Sequence, residues 1–122
     1  MPVRGLTLIV ATEDQTRLRS ALGTALSWRA LGGEARLFLD SAAVPSLRQP
    51  IAGSDDEHQI ANGMPGLAGL VDEALHAGIG ITLCQAGLAM AGATPADFDP
   101  RVEYGGLIGV LAALGDGRLV IA

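Results

Sequence analysis

A chain of 122 residues has room for one domain with one core and is too short for two ordinary ones, so residues 1–122 are read as a single domain. Hydrophobic residues make up 49% but aromatics only 3%, so the core must be assembled from Ala, Val, Ile and Leu, as closely packed helices on a sheet. The net charge of −5 with eight scattered cations, all arginines, argues against nucleic-acid binding, and the absence of lysine removes Schiff-base catalysis and the phosphate-binding lysine of a P-loop.

Leu6-Thr-Leu-Ile-Val-Ala11 is apolar, β-branched and uncharged, which predicts a buried first strand. Thr12 and Gln15 have the spacing of a capping box, and a helix is predicted from about Glu13 to Leu31. Leu18, Leu22, Ala25 and Leu26 face the core in that reading, Arg17 and Arg19 face solvent, and Gly32-Gly33 ends the helix. Glu34 to Asp40 is the second strand. Strand, helix and strand within so short a stretch make a right-handed crossover, hence a parallel pair.

From Ser41 to Pro65 the periodicity fails. Val44 to Leu47 suits one helical turn, but Pro50, Gly53, Gly63, Pro65 and the acidic run Asp55-Asp56-Glu57 predict a long loop through residues 48–65. The acids read as a solvated segment rather than a metal site. His58 is the one titratable group there able to serve as a base or ligand, against the plainer reading of an exposed loop histidine.

Gly66 to Ala77 restores helical spacing, closed by Gly78 in a left-handed conformation, with His76 in the last turn as a cap. Ile79 to Leu83 is a buried strand and Gln85 to Ala91 a helix stopped by Gly92. Thr94-Pro-Ala-Asp97 carries the signature of a short helical turn. Arg101 to Tyr104 as a strand, Gly106 to Leu114 as a helix and Arg118 to Ala122 as a closing strand complete the chain. About five strands alternate with about four main helices, which predicts an α/β doubly wound parallel sheet with helices on both faces.

The lone cysteine falls where the Ile79–Leu83 strand hands over to a helix. Unpaired amides at a helix start favour an anion, so Cys84 is placed to act as a thiolate nucleophile and sulfur carrier; the competing reading is a small buried hydrophobe. Thr82 and Gln85 stand beside it in sequence. Glu13 and Asp40 follow neighbouring strands and belong to the same carboxyl edge, where open α/β sheets place ligands. His58 joins them if its loop folds over the site. The separations of His58, His76 and Cys84 match no zinc signature, and neither a Gly-x-Gly-x-x-Gly after the first strand nor a Walker motif is present, so no metal and no cofactor is expected. One cysteine cannot form an internal disulfide, and Met1-Pro-Val-Arg runs into a strand rather than a signal peptide's apolar region, so a cytoplasmic setting is expected. No apolar run approaches the length of a membrane span.

The order of these elements, with Gly-Ile-Gly-Ile-Thr-Leu-Cys84-x-Ala86, Gly92 eight residues on, Val102 and the closing Gly-Asp-Gly-Arg-Leu-Val-Ile, resembles the DsrE/DsrF-like family, which includes TusD-like sulfur-relay subunits. The resemblance spans nearly the whole chain. It implies a flavodoxin-like three-layer α/β sandwich, assembly into homo-trimers or hexamers, a persulfide on Cys84, and sulfur donor and acceptor proteins as partners. The loop bearing Asp55-Asp56-Glu57 has no counterpart in the relay subunits. Two other readings stay open: a non-catalytic homo-oligomeric scaffold with an inert buried cysteine, anchored by Trp28, Phe38, Phe98 and Tyr104, and a peroxide-reactive thiol that would lack a resolving cysteine.

Overall fold

The computed structural model describes residues 4–122. The reading of Met1 to Val3 as a lead-in to the first strand lies outside the described residues. Five strands, β1 (Leu6–Val10), β2 (Ala35–Leu39), β3 (Gly80–Cys84), β4 (Glu103–Gly105) and β5 (Arg118–Ile121), form one sheet in the order β4-β3-β2-β1-β5. Every pairing is parallel. Parallel strands need crossovers, and these are α1 (Gln15–Ala30), α2 (Asp56–Ala61), α3 (Leu67–His76), α4 (Gln85–Met90) and α5 (Leu107–Ala112), with 3-10 turns at Ser41–Leu47 and Pro95–Asp97. The predicted α/β three-layer class is therefore the observed one.

The chain runs β1, β2, β3, β4 in one direction and then returns past β1 to lay down β5. Right-handed connections place α5, which makes the return, on the opposite face from α1 and α3. The pleat sorts the side chains accordingly. Leu6, Leu8 and Val10 stand in register with Ala35, Leu37 and Leu39, and Ile81 and Leu83 continue the rows, all buried under α1 and α3. Leu18, Leu22 and Ala25 of α1 and Leu67, Val71 and Ala74 of α3 complete this aliphatic layer.

Several local expectations are corrected. The N-cap of α1 is Asp14, not Thr12, because the Asp14 Oδ1 accepts from the Thr16 and Arg17 amides at 2.9 and 3.4 Å, while Thr12 Oγ1 accepts from the Asp14 amide. Arg19 does not face open solvent: its Nη2 donates to the Pro65 carbonyl at 2.8 Å and to Gln59 Oε1 at 3.3 Å. The stretch after β2 is not a featureless loop, since it contains a 3-10 turn and α2. Its order comes from tertiary hydrogen bonds that no local propensity announces. Asp56 accepts from the Gly53 amide at 2.8 Å and the Leu67 amide at 2.9 Å, bonds that hold its carboxyl below the usual carboxylate range, with Arg19 nearby adding to the effect.

Phe38 and Phe98 are core residues at 1% and 3% exposure, so they cannot anchor a subunit contact. Trp28 donates its indole N–H to the Arg4 carbonyl, and Tyr104 is partly buried, its phenol pushed up by that burial and by Asp97. Six of the exposed large aliphatics cluster on α5 and β5, Leu107, Ile108, Leu111, Leu119, Val120 and Ile121, while Leu31 and Ile60 are exposed singly elsewhere. Among the described residues, no helix is long and apolar enough to cross a membrane.

Candidate functional site

Cys84 is the last residue of β3 and the N-cap of α4. Its backbone is extended, and its Sγ accepts from the Gly87 amide at 3.4 Å, using one of the orphan donors of the helix start. The junction expected from the sequence is thus observed. Gly87 is held there by close packing: a Cβ built on it would lie 2.8 Å from Val44 Cγ2 and 2.9 Å from the Ser41 carbonyl oxygen. Only a residue without a side chain lets α4 press this tightly onto the 3-10 turn. Ser41 itself adopts φ 44, a left-handed conformation that costs a non-glycine residue energy and persists where surrounding contacts impose it.

Cys84 is 8% exposed and belongs to the hydrophobic core cluster. Beside it, the ends of β1, β2 and β3 open a mostly apolar groove of about 460 Å³ between the 3-10 turn and α4, lined by Glu13, Ser41, Pro45, Ala86, Gly87 and Met90. Met90 is 89% exposed at its rim. The thiol adjoins this groove through Gly87 without lining it.

The other expected site residues are brought together only in part. Glu13 borders the groove, and Asp40 follows β2 with its Oδ1 accepting from the Ser41 hydroxyl at 3.3 Å, so both acids do lie on the carboxyl edge with Cys84. Gln85 is exposed at the first turn of α4. Thr82 is two residues before Cys84 and on the same face, but it lines a different cavity, beneath α5. His58 is exposed on α2, whose tethers run through Gln59 and Asp56 to Arg19 and Leu67 on the α1 and α3 side, and no contact draws it to the sulfur. It does not line the groove. Among the described residues no group of three potential ligands is placed to hold a metal ion.

Sequence reasoning missed Ser41 and Gly87. The first carries no signal, since its conformation is imposed from outside. The second could have been found as a glycine three residues after the cysteine, inside a helix where alanine would be the cheaper choice.

No protein-family model matches the chain, and no curated protein sequence matches it. Solved structures do. Protein MTH1491 of Methanobacterium thermoautotrophicum, described as of unknown function, superposes with a TM-score of 0.72 at 14% identity, over 98% of this chain and 100% of that one. The ychN protein of E. coli gives 0.72 at 20% identity, with 100% of both chains covered. BT1422 of Bacteroides thetaiotaomicron, a conserved protein of unknown function, gives 0.69 at 18% identity, over 98% and 95%. The whole chain therefore shares its fold with these proteins, and at such identities the likeness is one of fold.

Proposed function

We propose that the protein carries sulfane sulfur as a persulfide on Cys84, in the manner of the DsrE/DsrF-like relay subunits that the Cys84-x-Ala86 and Gly92 segment resembles. The observation that carries this reading is the Gly87 amide aimed at Sγ at the carboxyl edge of a parallel sheet, since a donated hydrogen bond is worth more to a sulfur bearing charge. The Cys84 thiolate attacks the outer sulfur of a donor persulfide. A bond forms between Sγ and that sulfur, the donor's S–S bond breaks, and the donor leaves as its thiolate, so the exchange is redox-neutral and needs no separate acid or base. An acceptor thiolate then repeats the step on the Cys84 persulfide. The groove bounded by Glu13, Ser41 and Met90 is the approach for the donor and acceptor segments.

A second reading is favoured by a different observation. At 8% exposure and within the core cluster, Cys84 also has the surroundings of an inert N-cap in a homo-oligomeric scaffold, and the apolar α5 and β5 surface would then be the working part of the molecule.

Mass spectrometry after incubation with a small persulfide donor separates the two. Gain of one sulfur atom in native protein, absent from Cys84→Ser, is expected for the carrier. A mass unchanged while the protein stays folded, together with alkylation by iodoacetamide only after unfolding, would establish the scaffold.

A further inference from the structure

The helix α5, which lies over the second face of the sheet without burying any of its residues, is reversed in its pattern. Gly106, Gly109, Val110 and Ala113, at helical spacing, turn toward the strands, while Leu107, Ile108 and Leu111 turn away. Small residues facing a sheet leave a gap, and a cavity of about 270 Å³ lies between them and the strands. No heavy atom lies within 4 Å of a Cβ built on Gly109, so nothing in the protein claims that space.

The floor of the cavity is polar where the opposite face is purely aliphatic. Thr7 and Arg36 stand side by side across β1 and β2, and Thr82 and Glu103 across β3 and β4. Phe38, between Ile9 and Thr82, supplies an apolar middle. Thr7 is 3% exposed and lines the cavity, so its hydroxyl is part of the buried polar floor. Arg36 is anchored by donating from Nη2 to the Ala113 carbonyl at 3.2 Å, which leaves other guanidinium donors uncommitted. Among the described residues neither Arg36 nor Glu103 enters an ion pair. A cation on β2 and an anion on β4 thus border one small cavity, with Thr82 on the strand between them and Thr7 beside the cation.

We propose that this cavity binds a small zwitterion of the free amino acid class, its carboxylate toward Arg36 and Thr7, its ammonium toward Glu103 and Thr82, and its side chain over Phe38 and Val110. The volume falls just under the range of about 300–1,000 Å³ that holds drug-sized ligands, which suits a metabolite of a few heavy atoms. The site lies on the face of the sheet, is not lined by Cys84, and does not depend on sulfur chemistry there.

Isothermal titration calorimetry and thermal melting with free L-amino acids, one at a time, test it. At least one is expected to give saturable heat and raise the melting temperature, while its N-acetyl and amide derivatives, which lack one charge, do not. Arg36→Gln and Glu103→Gln, both at exposed positions, should each weaken binding by about tenfold or more, the loss of one charge-assisted contact. Gly109→Leu, which fills the space, should abolish it, and Cys84→Ser should leave it unchanged. If Gly109→Leu fails to fold, the two charge variants decide. Absence of binding by every amino acid, or binding undiminished in both charge variants, would overturn the proposal.

Discussion

One sheet separates two regions built from different amino acids, and the contrast divides the work of the molecule. On the α1 and α3 side, Leu8, Val10, Leu37, Leu39, Ile81 and Leu83 are 0–2% exposed against leucines and alanines of two helices. On the α5 side the strands offer Thr7, Arg36, Thr82 and Glu103 to a helix that meets them with glycine and alanine. The first face has the surface chemistry that stabilises a fold; the second gives up burial and gains a cavity and an exposed aliphatic surface. Both groups singled out as candidate functional residues on the strands, Cys84 and Thr82, belong to the second side by the alternation of the pleat.

The contrast is tested most severely on the first face. Leu83→Ala removes a fully buried side chain from the aliphatic layer and should cost about 2–5 kcal/mol, read by urea unfolding. A loss below about 1 kcal/mol would mean that this face is not the stabilising one. Asp56, which ties α2 to the start of α3 on the same side, adds a pH signature. Its folded-state value is lowered, so its contribution is fully present above the ordinary 3.8 and is lost as pH falls through the depressed value. Wild type should therefore be more stable than Asp56→Asn at neutral pH, and the difference should shrink on acidification below that window. A difference constant across it would show that the two amide bonds are replaced without loss.

The sequence made the strands, the long helix and the cysteine at the strand-helix junction readable because each rests on local pattern: apolar runs, three- and four-residue spacing, and glycines such as Gly78 and Gly92, whose φ values are +86 and +62. It did not disclose α2, because a six-residue helix between glycines and prolines owes its existence to Arg19 and Asp56 reaching across the fold. The Arg36, Thr7, Thr82 and Glu103 constellation was also hidden. Those residues are far apart in sequence, and only the strand order and register put them on one face. The reversed pattern of α5 was visible as letters, but nothing local says which side of a short apolar helix meets the sheet.

Two helical glycines, Gly87 in α4 and Gly109 in α5, sharpen the contrast with opposite signs. Gly87→Ala puts a Cβ 2.8 Å from Val44 and 2.9 Å from the Ser41 carbonyl, and because one of these atoms is backbone the 3-10 turn must move, at about 1–3 kcal/mol. It should also disturb the Sγ contact and alter the alkylation rate of Cys84. Gly109→Ala meets open space and relieves the helix of a glycine, so it should stabilise by up to about 1 kcal/mol in the same denaturation assay. Destabilisation there would mean that the gap under α5 is smaller than the geometry gives.

The smallest expected effect bears on the outer surface. Ile108 is 87% exposed, and in a lone chain Ile108→Ser should change stability by no more than about 0.5 kcal/mol. A helix apolar on its outward side gains nothing from water, and the neighbouring edge strand β5 leaves Leu119 and Ile121 exposed, with no lysine or proline inside the strand to blunt it. If copies of the chain cover this surface, the melting temperature of wild type rises with protein concentration and Ile108→Ser removes that dependence. Sedimentation across a dilution series reads the same equilibrium directly. A concentration-independent melt shared by both proteins would leave the α5 side open to solvent, with its exposed aliphatics as single-chain features.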